Sequence, residues 1–321
     1  MVVVAVAGGT GSMGRTIVET LLQNPRHKTI VLARKTTDTL EVSTTTIAVD
    51  YNDVESMAKV LADNEVHTVI SALAVLDAPT SAAEVNLVRA AARAGTTKRF
   101  IASVWGIEYS QTSPVGQARE RTLAELRGTE LEWTRFHNGY FLDYYGPPSS
   151  LKSYMTRVAW AVDVASKKAG IPLTGNEPMT FTYTFDVAKF AVAALDLPKW
   201  NELTYCYGDK LTWNEFLRLA EEARALFVSK LTNTAARRVG SKFDVAYDPL
   251  EKLQKGEVTD LPSNVGTAIY PMELIRGLMA SWGGYVLEGR FDIPTEEALN
   301  KVFPGIQPLK VKDVLEMWRG Q

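Results

Sequence analysis

The densest chemical signal in the chain is Gly8-Gly9-Thr10-Gly11-Ser12-Met13-Gly14, which follows the apolar run Val2 to Ala7 and opens a helix-like stretch. It fits GxGxxG through Gly9, Gly11 and Gly14, and GxxGxxG through Gly8, Gly11 and Gly14. Glycines at this spacing allow a tight turn, let a pyrophosphate approach bare backbone and let the helix pack on the strand. The helix N-terminus then offers unpaired N–H groups and a partial positive charge to an anion. The expectation is a dinucleotide site with Gly8, Thr10, Gly11, Ser12, Met13 and Gly14 along the phosphates; a structural glycine turn is the alternative. At the end of the second strand an NAD site carries an acid for the ribose 2′-hydroxyl, whereas this chain reads Ala33-Arg34-Lys35. Arg34 and Lys35 suit a 2′-phosphate, and a guanidinium also stacks on adenine, so the expected cofactor is NADP(H). A solvated basic turn is the other reading of the pair. Asp50 either accepts from the adenine amino group or caps a helix, and Ser71-Ala72-Leu73 is placed to line the pyrophosphate and ribose.

These residues need a scaffold of short β-branched runs alternating with helical patterns, and the first part of the chain has one. Strands are expected over 2–7, 29–33, 46–49, 68–71, 99–103 and 131–136, with helices over 13–23, 54–63, 82–94 and 115–126. Gly95 suits a left-handed helix end, and Asn52 or Asp53 a helix start. After Phe141 the pattern changes at the turn-rich Asp143-Tyr-Tyr-Gly-Pro-Pro148, and further helices are expected over 186–195, 213–231, 294–302 and 311–318. The fold class is therefore α/β, a Rossmann-type doubly wound parallel sheet with a smaller C-terminal α+β substrate cap. The expected domains are 1–145 for the cofactor and 146–321 for the cap, with later segments near 180–210 returning to the first.

Composition narrows the function classes. Of 321 residues 46% are hydrophobic and 22% charged, and 35 Lys+Arg against 37 Asp+Glu leave a formal charge of −2. That balance carries no footprint for nucleic acid or anionic membrane. One cysteine, Cys206, rules out an internal disulfide framework and argues for a reducing compartment, and three histidines without metal-ligand spacing argue against a metal. No apolar run approaches the ~18 residues of a membrane helix, so a cytoplasmic protein is expected, of unknown oligomeric state.

Beyond the glycine loop and Arg34, three stretches are informative: Asn86-Leu-Val-Arg-Ala-Ala-Ala-Arg-Ala-Gly95, Lys98-Arg-Phe-Ile-Ala-Ser103 with Trp105-Gly106, and Trp133-Thr-Arg-Phe-His-Asn-Gly-Tyr-Phe-Leu-Asp143. Together they resemble the NmrA-like and isoflavone-reductase-like family, the atypical short-chain dehydrogenases, over most of residues 1–200. The resemblance implies a Rossmann-type NADP(H) binder, and many members, especially in fungal secondary metabolism, reduce small aromatic or polycyclic compounds. It also implies cofactor contacts from Ser103 and Gln117, and from Asn138, Gly139, Tyr140 and Phe141 beside the nicotinamide.

The chain departs from that family where the proton should come from. No Tyr is followed four positions later by Lys, as ordinary short-chain dehydrogenases require. Isoflavone-reductase-like enzymes use a lysine at the start of the helix after the Phe-Ile-Ala-Ser strand, and here Gln117 stands in that position; in a register one turn out, Arg119 or Arg121 would. Val104 replaces the usual glutamate. Glutamine donates a hydrogen bond but delivers no proton near neutral pH. Three accounts follow: the substrate is already electrophilic, such as an iminium or conjugated azadiene; another donor acts, with Tyr109, His137, Tyr140 or water the candidates; or the protein binds cofactor without turnover. His137 reads as a packing residue with an acid role as the alternative. Trp105, Phe141, Tyr144 and Tyr145 suit a flat apolar substrate or else line a core. The preferred reading is an NADPH-dependent reductase of C=N, iminium or conjugated C=C bonds in a large apolar, aromatic or alkaloid-like metabolite. The alternatives are a cofactor-retaining cyclase, Diels-Alder-type closure included, and an NADP(H)-sensing regulator.

Overall fold

The computed structural model describes residues 2–35, 44–228, 237–239, 241–264 and 271–320. Its first elements are β1 (Val2–Ala7), α1 (Ser12–Leu22), β2 (His27–Ala33), β3 (Thr45–Ala48), α2 (Val54–Asp63), β4 (Val66–Ser71), α3 (Ala78–Arg93), β5 (Arg99–Gly106), α4 (Pro114–Arg127) and β6 (Glu132–His137). There follow β7 (Tyr140–Phe141), β8 (Val162–Asp163), β9 (Lys168–Pro172), β10 (Pro178–Thr182), α5 (Thr184–Ala194), β11 (Leu203–Tyr205), β12 (Asp209–Thr212) and α6 (Trp213–Ala223). The last are β13 (Leu226–Val228), β14 (Arg237–Val239), β15 (Asp244–Asp248), α7 (Leu250–Leu253), α8 (Met272–Leu287), α9 (Leu299–Val302) and α10 (Val311–Glu316).

Two compact units result, one of residues 1–138, 184–206 and 294–307, the other of 139–183, 207–293 and 308–321. The first stretch runs to Asn138, and within it β6 still needs a partner on its outer edge and α1 a helix to cover it. Both come from the returning segment, as β11 and α5.

The first unit is a parallel sheet of seven strands in the order β11-β6-β5-β4-β1-β2-β3. The chain winds outward from β1 through β2 and β3, then restarts at β4 on the other side, so the order reverses between β1 and β4. In such sheets ligands bind outside the carboxyl ends of the strands at that reversal. Val4, Ala5, Val6 and Ala7 are fully buried, as an unbroken apolar run in a sheet covered on both faces must be. The helices start where their caps dictate. Asp53 accepts from the Ser56 N–H at the head of α2, Asp77 and Thr80 form a reciprocal capping box on α3, and Ser113 followed by Pro114 opens α4.

The second unit holds two three-stranded sheets, β12-β10-β7 and β15-β9-β8, and the hairpin β13-β14. The helix expected over 213–231 is started by a Thr212–Glu215 capping box but stops at Ala223, where the chain turns into β13; residues 229–231 lie outside the described residues. The helix expected over 294–302 shrinks to Leu299–Val302. Among the described residues no helix is long and apolar enough to cross a membrane, and no group of three or more His, Cys, Asp and Glu side chains is placed to hold a metal ion.

Candidate functional site

The glycine turn joins β1 to α1 at the reversal point. Gly8 has φ +75°, and a Cβ on it would lie 2.7 Å from the Ala72 carbonyl oxygen, so this turn abuts the tip of β4. A Cβ on Gly14 would overlap the Gly8 carbonyl, which is why α1 can start so close to the turn. Gly11 differs, since a Cβ there meets only the Gly8 carbonyl, at 3.4 Å, and its outer side is open. Gly11 is also the N-cap, with no side-chain cap bond and no acid in the first turn of α1. The first-turn N–H groups of a helix have no intrahelical partner, so this end has the donors an anion needs. Thr10 and Gly11 are exposed and Ser12 half-buried, whereas the Met13 side chain is buried and only its backbone is offered.

Arg34 and Lys35 follow β2 directly, and both are exposed. Their strand tip is fixed by a residue that sequence reasoning missed. The buried Tyr51 donates its hydroxyl to the Leu32 carbonyl at 3.1 Å, and burial pushes its phenol up to about 12. The Gly8 N–H shares that carbonyl at 3.3 Å. Asp50 is exposed and accepts from both the backbone and the side-chain amide of Asn52, at 2.9 and 3.0 Å. One of its oxygens is therefore engaged in a local turn, while Asp53 does the capping.

Past β4, the Ala72 N–H donates to the Ala7 carbonyl at 2.9 Å and the Leu73 carbonyl accepts from the Ser103 hydroxyl at 2.8 Å. Trp105 is buried, donates its indole N–H to the Ser71 carbonyl at 3.1 Å and stacks on Phe136 at 5.4 Å. It is thus a wall of the fold, which fits the core alternative better than a free pocket face. Behind this corner lies a second missed residue, Glu84 of α3, which is fully buried. Its carboxylate accepts from the Ser103 N–H at 2.6 Å and the Thr122 hydroxyl at 2.9 Å. Burial raises its pKa, with the Ser71 hydroxyl, these two donors and Arg119 pulling the other way. Glutamate in an alanine-rich helix gives no signal of this in the sequence.

The proton-donor candidates of the first unit lie on α4, on the segment after β5 and at the end of β6. Gln117 is exposed in the first turn of α4, its N–H bound to the Ser113 carbonyl at 2.9 Å. Arg119 donates to the Ile107 carbonyl at 3.2 Å and lies 4.6 Å over the Tyr109 ring. His137 is buried, and burial, helped by Arg135 and Arg119, lowers its pKa to about 3. Glu108, 3.5 Å away and 38% exposed, is too solvated to offset that. Its burial favours the neutral imidazole, which argues against His137 as an imidazolium acid. The Asn138 N–H donates to the Gly106 carbonyl at 2.8 Å.

Gly139, Tyr140, Phe141, Tyr144 and Tyr145 belong to the second unit. Gly139 has φ +73°, and the close approach it permits is to Thr180 of β10, where a Cβ would overlap the carbonyl. Tyr140 packs among Tyr144, Trp160 and Trp282 at 5.3, 5.1 and 5.3 Å. Tyr145 sits 4.6 Å from Phe216 and donates to the Trp160 carbonyl at 2.8 Å. Both are core residues of this unit, so the core alternative describes them better than a pocket. Phe141 and Tyr144 keep part of their surface in solvent. Tyr144, Tyr145, Arg157 and Trp318 line a cavity of about 130 Å³, well below the ~300 Å³ at which sites for polycyclic ligands begin.

Comparison with known proteins agrees with this fold. Residues 8–198 match the NAD(P)H-binding family. The chain is 32% identical to Oxidoreductase swnN of Metarhizium robertsii, over 98% of this chain and 96% of that one. It is 25% identical to an isoflavone reductase homolog of Solanum tuberosum, over 97% and 96% of the two chains. The complex of leucoanthocyanidin reductase with NADPH from Vitis vinifera shares the fold, with a TM-score of 0.73 at 18% identity, covering 98% of this chain and 99% of that one.

Proposed function

This chain belongs to the NAD(P)H-binding family, in its NmrA and isoflavone-reductase-like branch, and from that premise we propose an NADPH-dependent reductase of C=N, iminium or conjugated C=C bonds in an apolar, alkaloid-like metabolite. The turn fits the dinucleotide: an uncapped helix end, an open side at Gly11 and two exposed cations where a 2′-phosphate would lie. When bound, NADPH supplies the hydride. The first-turn N–H groups of α1 hold its pyrophosphate, and Arg34 and Lys35 hold the 2′-phosphate and select against NADH. Gln117 can orient a polar group but cannot protonate one.

The observation that carries the choice of bond is the burial of His137 beside Arg135 and Arg119, which lowers its pKa and disfavours an imidazolium able to protonate a ketone oxygen. An iminium carbon needs hydride alone. The test is an assay with NADPH deuterated at nicotinamide C4, offering a cyclic iminium and a ketone of the same skeleton. The iminium is expected to acquire deuterium and to react about 100-fold faster or more, the usual worth of a missing general acid. Faster turnover of the ketone overturns the reading, and product formed without deuterium in the presence of cofactor favours a cyclase instead.

A further inference from the structure

Near its carboxyl end β5 leaves its ladder with β4 and shifts register against β6. Its ladder with β4 runs from Thr68–Arg99 to Ile70–Ile101 and ends there. With β6 the pairing passes from Ile101–Thr134 to Trp105–Phe136, so β5 advances four residues while β6 advances two. A bulge of this kind leaves backbone amides without a strand partner, and buried amides must find another. For Ser103 the partner is Glu84 Oε1, 2.6 Å from its N–H, supplied by α3 from outside the sheet. The same carboxylate reaches Thr122 of α4 at 2.9 Å. Thus one fully buried side chain ties a helix on each side of it to the irregular part of a strand.

The bulge is in turn bolted to the tip of β4. The Ser103 hydroxyl donates to the Leu73 carbonyl at 2.8 Å and the Trp105 indole to the Ser71 carbonyl at 3.1 Å. Ala72, between those two, packs on Gly8 of the glycine turn. A buried carboxylate is a costly way to complete a fold that an apolar side chain on α3 would pack more simply, and bulges gather beside active sites because they re-aim residues. The dinucleotide crosses the carboxyl ends of the strands at the reversal between β1 and β4. With its adenine end at Arg34 and Lys35 after β2, its other end runs over β4 and β5.

We propose that Glu84 is a positioning residue, which holds the β5 bulge so that Ser103 and its neighbours meet the nicotinamide half of the cofactor. The proposal rests on the NADP(H) reading, and the test separates the two. Binding of NADPH and of adenosine 2′,5′-bisphosphate, which keeps the adenine end and the 2′-phosphate but lacks nicotinamide, is measured by calorimetry on the wild type, Glu84→Gln and Glu84→Asp. Gln keeps an acceptor at the same reach, whereas Asp keeps the charge and is one carbon too short. Glu84→Asp is expected to weaken NADPH about tenfold or more while leaving the bisphosphate within about twofold, and Glu84→Gln to bind both within about threefold of wild type. Unchanged NADPH binding in Glu84→Asp, or an equal loss of both ligands, overturns the proposal. If the wild type binds neither ligand, the cofactor reading fails and the proposal with it. Should Glu84→Asp not fold, amide hydrogen exchange on the wild type decides. Slower exchange at 102–105 with NADPH than with the bisphosphate supports the proposal, and equal protection refutes it.

Discussion

His137 occupies the strand-end position where an acid would be useful, yet its surroundings decide its chemistry. An unfolded histidine titrates near 6.5, and this one, buried beside Arg135 and Arg119, near 3 in the fold. Between those values the unfolded chain binds the extra proton, so stability is lost as pH falls from about 6.5 towards 3, at up to about 1.4 kcal/mol per pH unit. His27 and His67 are lowered by burial too and act in the same direction. Glu84, raised by burial, has the opposite sign. All three are common to a His137→Gln variant, so they cancel in the comparison. Melting curves from about pH 7.5 to 5 should show the wild type losing stability faster than the variant; parallel curves contradict the buried neutral imidazole. Residues of this kind were only half legible in the sequence. His137 and Asp50 could be named as candidates, but the pKa of one and the Asn52 turn that engages the other depend on neighbours a linear reading does not rank. Glu84 was not named at all, since a polar residue on an alanine-rich helix looks solvated until α4 and β5 close over it.

The glycine turn shows the opposite case, an element whose spacing carries its geometry. Gly14 and Gly11 look equivalent in the motif but differ in what surrounds them. At Gly11 φ is −90° and a Cβ finds ordinary space, so Gly11→Ala should cost no more than the roughly 1 kcal/mol of a weakened N-cap. It should nevertheless bind NADPH about tenfold more weakly, because the added methyl faces the phosphate cradle. Gly14→Ala drives a methyl into the Gly8 carbonyl and should lower the melting temperature as well, by roughly 2–4 °C per kcal/mol for a unit of this size. Equal effects of the two substitutions on stability would contradict the turn described. The βα repeats were readable for the same local reason, with caps such as Asp53, Asp77 and Ser113 marking the starts of helices. The end of α6 at Ala223 was not, because a helical pattern in the sequence continues past the point where pairing of β13 with β14 takes over.

At the scale of the whole molecule, a formal charge of −2 and a single buried cysteine leave the nucleotide site as the strongest chemical feature of the chain. The first unit is drawn from three stretches of sequence; a return of segments near 180–210 was expected, and it brings the partner that β6 needs, β11, more than sixty residues later, whereas the third stretch, 294–307, was not expected. The aromatic run near residue 140 likewise reads equally as ligand site or core until Trp160, Trp213 and Phe216 are seen to enclose Tyr140 and Tyr145. The central claim is simpler: NADPH is held at the amino-terminal glycine turn with its 2′-phosphate on Arg34 and Lys35. Calorimetric titration of the wild type and the Arg34→Ala, Lys35→Ala double variant with NADPH and NADH tests it directly. The wild type should prefer NADPH, and the variant should lose about 100-fold or more of NADPH affinity with NADH little changed. Equal affinity of the wild type for the two coenzymes, or an unchanged ratio in the variant, would contradict the account.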